Sequence, residues 1–294
     1  MSKQKKADLL LVLVTAFWGT SYYLTDLCLT QLPPLFLTAF RFLSAFVLLG
    51  LIFFPRIRRV NRITLKYSLL VGLALSGCYI FYGYAITRTS LSNAGFICAL
   101  PVVFTPLLDL LFRGTRPKRK LLLALALCTV GLALMTLNEQ FRPRSGDLLS
   151  LGVAVTYAAD LLLTEEAVRH PDVDPLALGV CDLAVVGVLT LIMSLFIETP
   201  VLPRTPGVWA AALFLGIFCS GVAFVVQSVQ QQYTSATHVG LIFTLEPVFS
   251  AAVAFFFAGE RLLPRGYLGA ALMLLSLVLM ELDWPRKKTG LKST

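Results

Sequence analysis

Apolar stretches of about 20 residues recur along almost the whole chain, and they restrict its fold more than any other feature. A helix of that length crosses the roughly 30 Å hydrocarbon core of a bilayer. Backbone groups in lipid must be hydrogen-bonded within their own segment, so these stretches are helices. Hydrophobic residues make up 57% and charged residues 14% of the 294 residues, unlike a soluble domain. The sequence therefore predicts an all-α integral membrane protein with no room for a separate soluble domain.

We expect ten transmembrane helices. They lie near residues 8–29, 34–54, 65–87, 90–112, 119–138, 147–167, 176–197, 208–232, 236–258 and 265–283. With the amino terminus in the cytoplasm, 18 of the 25 lysines and arginines fall on the inner side, six fall outside and Arg41 lies within a span. This bias follows the positive-inside rule. It predicts a multi-pass protein of the plasma (inner) membrane with both termini cytoplasmic, and it explains the net charge of +9 without nucleic acid.

The amino-terminal segment Lys3–Phe17 superficially resembles a secretory signal peptide. Gly19-Thr20-Ser21 is a poor cleavage site, and removal of this segment would leave an odd number of spans. We therefore retain it as the first transmembrane helix.

The second half of the chain repeats the first. Residues 234–259 match residues 89–114 at a constant offset of 145, with Gly240 on Gly95 and Gly259 on Gly114. Each repeat then holds five helices, and an odd number requires the two halves to insert upside down relative to each other. We predict repeats over residues 1–145 and 146–294, and a ligand site near the midplane where they meet.

Several motifs in these repeats resemble the EamA-type permeases of the drug/metabolite transporter superfamily, over nearly the whole chain. The best marks are Phe17-Trp18-Gly19-Thr20-Ser21, Pro34 with Arg41, Tyr233-Thr234-Ser235-Ala236, Leu245-Glu246-Pro247-Val248-Phe249 and Gly259-Glu260-Arg261-Leu262. Gly114-Thr115 departs from the family by lacking its frequent acid. The resemblance implies a central cavity lined by spans 1, 3, 4, 6, 8 and 9. It also implies alternating-access transport of a small metabolite such as an amino acid, often outward.

Glu246 is the strongest candidate for a ligand-binding residue. It lies ten residues into the ninth span, roughly 15 Å deep. Pro247 has no N–H and leaves the Phe243 carbonyl without its usual partner. A carboxylate beside a freed carbonyl suits an ammonium group, another cation or a proton, and a dry pocket would permit proton coupling. The alternative is a structural Glu246 that shapes the helix kink.

Prolines and two polar residues mark the fourth and ninth spans as candidate gates. Pro101 and Pro106 are predicted to kink the fourth span, as Pro247 does the ninth. His238 shares a helix face with Glu246 but lies about 12 Å from it. Its repeat mate is Asn93. A proton relay and simple packing are both open for His238.

Aromatic and polar residues on other spans are further candidates for the cavity wall. They are Trp18 and Tyr22 on the first span, Ser76, Tyr79 and Tyr82 on the third, Tyr157 and Asp160 on the sixth, and Gln227 on the eighth. Aromatic faces hold cations or flat groups, and amides and carboxylates bind polar groups. Ordinary packing is the alternative for each.

Three charged residues within spans are assigned structural roles. Arg41 and Asp182 each follow a span-opening proline by seven residues. Inversion of the halves leaves roughly 10 Å between them along the membrane normal, so we expect separate partners. Asp109 with Arg113 forms an i,i+4 pair at the inner end of a helix.

Absent motifs argue against an enzyme. The sequence has no GxxxxGK[ST], HExxH or GxSxG, and its histidines and cysteines form no metal-ligand pattern. A lipid-modifying membrane enzyme would need acids and histidines clustered at one surface, whereas here the acids are scattered in depth. We therefore expect no cofactor and no metal, and a small molecule and the bilayer as partners. Proton coupling, exchange, facilitated diffusion, an uptake direction and a homodimer are left open.

Overall fold

The structure, a computed structural model, describes residues 3–85, 99–136, 145–258 and 263–281. Over these residues the chain is helical and contains no strand. The elements are α1 (Lys3–Leu29), α2 (Pro34–Ile52), α3 (Phe54–Ile57), α4 (Arg62–Ala85), α5 (Pro101–Arg113), α6 (Arg119–Thr136), α7 (Ser145–Arg169), α8 (Pro175–Ile197), α9 (Pro206–Phe214), a π-helix (Leu215–Val222), α10 (Ala223–Gln231), α11 (Ala236–Phe243), α12 (Glu246–Ala258) and α13 (Pro264–Glu281).

The described helices are suited to a lipid environment. Seven helical segments are long and apolar enough to cross a membrane. Large apolar side chains such as Phe112, Phe196 and Phe256 are more than three-quarters exposed on the outer surface. Exposed apolar groups of this size are costly in water and favourable in lipid. The described chain is therefore a multi-pass helical membrane protein.

The ninth predicted span, 236–258, is interrupted by a turn, although residues Ala236–Val253 together are long and apolar enough to cross a membrane. α11 ends at Phe243 and α12 begins at Glu246. The backbone N–H groups of Thr244 and Leu245 donate to carbonyls only three residues back, so the helix tightens before it restarts. Pro247 is then the second residue of α12, where a proline is tolerated. The predicted kink is a break, and it puts Glu246 in the first turn of a new helix.

The eighth predicted span, 208–232, is also irregular, because a π-helix separates α9 from α10. α2 packs closely against the π-helix at Gly216. A Cβ atom there would collide with the Ser44 hydroxyl and lie 3.1 Å from the Arg41 carbonyl oxygen. The absence of a side chain at Gly216 therefore permits the approach that sets Arg41 beside Ser220.

In the fourth predicted span, 90–112, the described part begins at Ala99. Pro101 is the first residue of α5 and follows a turn at Ala99 and Leu100. Pro106 does lie inside α5. Asn93 and the Ile97 carbonyl lie outside the described residues. The turn lies 145 residues before the turn at Thr244 and Leu245, which is the offset of the predicted repeat.

α6 and α13 form a tightly packed pair that makes few contacts with the other described helices. Gly131 and Gly269 lie at their crossing. A Cβ atom on Gly131 would be 2.6 Å from the Gly269 carbonyl oxygen. Small residues permit this close approach of helix backbones in membranes.

Two carboxylates fasten the ends of α2 and α8. Glu198, at the end of α8, accepts hydrogen bonds from the N–H groups of Leu35 (3.0 Å) and Phe36 (2.9 Å) at the start of α2. Asp174 caps its own helix, α8, and pairs with Arg56. Burial raises the pKa of the Asp174 carboxyl. Hydrogen bonds from Arg56 and the helix backbone, together with the Arg56 charge, outweigh burial and bring that pKa below its usual value.

Candidate functional site

A central cavity of about 100 Å³ lies between α1, α2, α4, α7, α10 and α12. This volume exceeds the roughly 10–15 Å³ that one water needs, so the cavity can admit a small solute. Its aromatic wall consists of Trp18, Tyr22, Tyr79, Tyr82, Tyr157 and Phe224. Ser21, Thr25, Arg41, Cys78, Glu246 and Pro247 add polar groups and the helix break to the lining.

Two opposite charges face this cavity. Arg41 and Glu246 are the charged side chains that line it among the described residues. The Tyr22 hydroxyl donates a hydrogen bond to the Glu246 carboxyl, which also feels the positive charge of Arg41. The two side chains do not form a direct ion pair in the part of the chain that the structure describes. Each charge is therefore available to a group of a bound solute.

Arg41 is held in place by both polar and aromatic contacts. Its Nε donates to the Ser220 hydroxyl at 3.2 Å. Its guanidinium carbon lies 5.8 Å from the centre of the Tyr79 ring, a cation–π distance. We expected a purely structural Arg41, but the approach of α2 to the π-helix puts it in the cavity wall. It forms no ion pair with Asp182, whose side chain is buried elsewhere.

The aromatic wall is rigid around Trp18. Its indole N–H donates to the Cys219 carbonyl at 2.8 Å, an interaction that fixes the ring against the π-helix. Ring centres of Phe243, Phe224 and Tyr157 lie 4.6, 5.3 and 6.2 Å away. Such edge contacts between aromatic rings are favourable and directional. The wall therefore presents a preformed apolar surface to a solute.

Three of the polar candidates do not line the cavity. The Ser76 hydroxyl donates to the Gly72 carbonyl at 2.5 Å and is buried in α4. Asp160 and Gln227 lie behind the wall: Gln227 Nε2 is 3.4 Å from Asp160 Oδ2, and Gln227 Oε1 is 3.5 Å from the Tyr157 hydroxyl. These two residues therefore connect to the cavity only through Tyr157.

His238 is also remote from the cavity. It lies near the start of α11, where its Nε2 is 3.4 Å from Asp8 Oδ1 of α1. No described contact joins it to Glu246. The helix break between His238 and Glu246 removes the shared helix face on which a proton relay between them was based.

The predicted Asp109–Arg113 pair belongs to a larger ionic network. Arg113 lies 3.4 Å from Asp109 on its own helix, 3.1 Å from Glu165 and 3.5 Å from Glu166 on α7. Arg169 also contacts Glu165, at 2.5 Å. These pairs tie the end of α5 to the end of α7.

Sequence reasoning missed several residues of the cavity lining. Ser21 and Thr25 follow Trp18 at helical spacings of three and seven, so the face of α1 was readable from the sequence. Phe224 and Arg41 depend on the π-helix and its contact with α2, for which the sequence shows only Gly216 and Ser220. Leu75, Cys78 and Val153 are apolar or weakly polar and gave no signal.

A multi-pass helical protein with two opposite charges in an aromatic cavity has the build of a solute carrier. The EamA-like transporter family matches residues 5–137 and again residues 144–282. The chain belongs to this family, and it is a transporter, not an enzyme. The family suggested by the sequence motifs, the EamA-type permeases of the drug/metabolite transporter superfamily, is thereby confirmed.

Relatives of known sequence agree with this membership. An uncharacterized transporter of Archaeoglobus fulgidus is 27% identical over 281 residues, covering 95% of this chain and 87% of its own. The uncharacterized transporter YwfM of Bacillus subtilis is 23% identical, with 96% of each chain covered. A probable amino-acid metabolite efflux pump of Escherichia coli is 25% identical over 56% of each chain.

One crystal structure has the same fold. It matches with a TM-score of 0.78 at 18% identity, over 94% of this chain and 96% of its own. At this identity the likeness concerns the fold alone.

Proposed function

We propose that this protein moves a small zwitterionic metabolite, such as an amino acid, outward across the inner membrane by alternating access. The observation that carries the proposal is the placement of Arg41 and Glu246 in one aromatic cavity without a direct ion pair between them. A guanidinium binds a carboxylate with two parallel hydrogen bonds, and a carboxylate binds an ammonium group. The Escherichia coli relative, a probable amino-acid metabolite efflux pump, supports both the solute class and the direction.

The aromatic wall favours a solute with an apolar or aromatic side chain. Trp18, Tyr79 and Phe224 lie beside the charged pair. Ligand pockets of this kind orient a solute by a few polar groups and bind the rest of it through apolar area. We therefore expect apolar and aromatic amino acids to bind more tightly than acidic or basic ones.

The proposed architecture is ten transmembrane helices in two inverted repeats, residues 1–145 and 146–294, with both termini in the cytoplasm. Two matches to one family, one in each half, support the repeats. The turns at Ala99–Leu100 and Thr244–Leu245 support them as well, because they occur 145 residues apart. The positive-inside bias supports the orientation.

Alternating access requires an element that moves, and the break before Glu246 is the proposed hinge. Thr244 and Leu245 lie outside the regular helix, so a rotation there costs few helical hydrogen bonds. Pro101 and Pro247 lie in the first turns of the helices that follow the two turns, and Pro106 weakens α5. We assign closure of the carrier at the ends of α5 and α7 to the ion pairs of Arg113 with Asp109, Glu165 and Glu166.

The test compares solute release by cells that make the wild type, Glu246→Gln or Asp26→Asn at equal membrane abundance. Asp26 is an exposed acid on α1 outside the cavity and serves as the matched control. Amino acids and small amines in the medium are measured by mass spectrometry. We expect release above empty-vector cells for the wild type and Asp26→Asn, and loss of release for Glu246→Gln.

Other results would contradict parts of the proposal. Equal release by Glu246→Gln would make Glu246 structural. Release no higher than that of empty-vector cells would contradict export, and uptake into vesicles of defined orientation would then identify an inward carrier.

A further inference from the structure

Two acids are buried in the helix bundle with no cation paired to them in the part of the chain that the structure describes. Asp160 on α7 is 1% exposed and Asp182 on α8 is 2% exposed. Neither forms an ion pair with any residue that the structure describes. The Oδ1 atom of each is buried and has no hydrogen-bond partner among the described residues. These oxygens can accept a hydrogen or a cation that the described residues do not supply.

The two acids lie on helices that both pack against α10. Gln227 contacts Asp160, and a Cβ atom on Gly179, one turn before Asp182, would lie 2.9 Å from the neighbouring Ser228 hydroxyl. Moving an isolated carboxylate from water into a medium of low dielectric constant is strongly unfavourable. A second carboxylate nearby increases this cost, because like charges repel. The arrangement is therefore unfavourable unless positive charge binds there.

A third unsatisfied oxygen lies on the neighbouring helix. Gln231 is fully buried in α10, and its Nε2 donates to the Leu161 carbonyl of α7, one residue beyond Asp160. Its Oε1 is buried and has no hydrogen-bond partner among the described residues. Gln227, one turn earlier on α10, contacts Asp160 directly. The polar region is therefore shared by three helices and is not a single isolated side chain.

A polar path leads from this region to the cavity. Tyr157 lines the cavity, and its hydroxyl lies 3.5 Å from Gln227 Oε1. Gln227 Nε2 lies 3.4 Å from Asp160 Oδ2. The tyrosine hydroxyl donates to the amide oxygen, and the amide nitrogen donates to the carboxylate, so the two contacts run in one direction toward Asp160. Asp160 is thus two side chains away from the solute cavity.

We propose that Asp160 and Asp182 form a proton-binding site, distinct from Glu246, that couples solute movement to the proton gradient through Gln227 and Tyr157. One proton binds to a carboxylate oxygen in one orientation of the carrier and leaves from it in the other. No other bond forms or breaks. Glu246 then keeps its role in binding the solute.

The charged and titratable groups around the two acids do not supply the missing cation. Arg41 on α2 is directed to Ser220 and the cavity, and Arg113 on α5 is bound by Glu165. Arg56 on α3 is bound by Asp174. The remaining groups with described side chains on the packed elements are Arg62, Lys66, Tyr67, Cys78, Tyr79, Tyr82 and Tyr84 on α4, Asp109 on α5, Tyr157, Glu166 and Arg169 on α7, Cys181 on α8, Cys219 in the π-helix and His238 on α11. Of the cations in this set, Arg169 is bound by Glu165, and Arg62 and Lys66 lie in the first turns of α4.

The first test needs no solute and does not depend on the proposed function. Infrared spectra of the purified protein at neutral pH are compared for the wild type, Asp160→Asn, Asp160→Glu and Asp26→Asn. We expect absorption by protonated carboxyl groups in the wild type, loss of part of it in Asp160→Asn, and retention in Asp160→Glu and Asp26→Asn. An unchanged spectrum in Asp160→Asn would overturn the proposal.

The second test rests on the proposed function and uses L-phenylalanine and L-leucine as probes in reconstituted vesicles. We expect Asp160→Asn to exchange labelled for unlabelled probe but to lose accumulation driven by a pH gradient. Glu246→Gln is expected to lose both, whereas Asp26→Asn is expected to lose neither. Retained exchange also shows that Asp160→Asn is folded.

Two outcomes separate the proposals. Accumulation driven by a sodium gradient and insensitive to pH would overturn the proton site and leave transport intact. If the wild type moves neither probe, the proposed solute class fails, and the infrared result alone decides whether Asp160 binds a proton.

Discussion

The helices around the cavity and the pair α6–α13 represent two ways of building a membrane protein. The cavity helices include a break before Glu246, a turn before Pro101 and a π-helix. α6 and α13 are uninterrupted, and they pack through Gly131 and Gly269. Irregular backbone within a membrane is tolerated where it lines a polar cavity, whereas lipid-facing helices keep all their hydrogen bonds. Substitutions in the cavity helices should therefore change mainly transport, whereas substitutions between α6 and α13 should change mainly stability.

Removal of the cavity arginine should have the largest effect on transport. Loss of one partner of a buried charge interaction costs roughly 2 kcal/mol or more, so Arg41→Gln should weaken probe transport by about 30-fold or more. Arg41→Lys should be intermediate, because lysine keeps the charge but not the planar fork. The measurement is the concentration dependence of L-phenylalanine transport in vesicles. Wild-type transport by Arg41→Gln would remove Arg41 from the site.

A side chain introduced at the α6–α13 crossing should lower stability and leave transport unchanged. Gly131→Leu forces apart two backbones in contact, and overpacking costs about 1–3 kcal/mol. We expect a lower thermal unfolding temperature in detergent and unchanged transport per folded molecule. Gly50→Leu is the control, because a Cβ atom there meets only an ordinary contact at 3.8 Å. Equal destabilisation by both variants would contradict the special role of the crossing.

A substitution that lets α11 and α12 join should lower the transport rate without lowering stability. Pro247→Ala restores a backbone N–H that can bond the Phe243 carbonyl, so α11 and α12 can join and draw Glu246 from its position. We expect a several-fold lower transport rate and an unfolding temperature equal to or above that of the wild type. Pro206→Ala, at the start of α9 outside the cavity, should leave both unchanged. A wild-type rate in Pro247→Ala would show that the break is not needed.

The smallest effect is expected at Asp174, outside both regions. Because folding lowers the pKa of this carboxyl, its stabilisation is fully present above the usual aspartate pKa of about 3.9 and is lost as pH falls through the lower folded-state value. Asp174→Asn can still cap α8 but cannot pair with Arg56. We expect slightly lower thermal stability at neutral pH, a weaker loss on acidification than in the wild type, and unchanged transport.

The sequence predicted the helical membrane fold and the family, because apolar length and repeated motifs are one-dimensional signals. Depth along a span likewise pointed to Glu246, and helical spacing to Trp18 and Tyr22. The position of Arg41 was not predictable in this way, since it depends on how closely α2 approaches Gly216. Asp160 was expected in the cavity because it shares a helix face with Tyr157, but Gln227 lies between it and the open space. Whether such a side chain reaches the cavity depends on contacts between helices that are distant in the sequence.

The π-helix Leu215–Val222 changes the direction in which later side chains of the same span point. A π segment accommodates an extra residue in its wider turns. Every side chain after it is consequently rotated, by roughly 100° for each added residue, from where a regular α-helix would direct it. Phe224 in the cavity wall and Gln227 beside Asp160 both follow this segment. Deletion of one residue there would restore a regular helix of nearly the same composition, yet it would turn the solute wall and the buried polar contact away from their partners together.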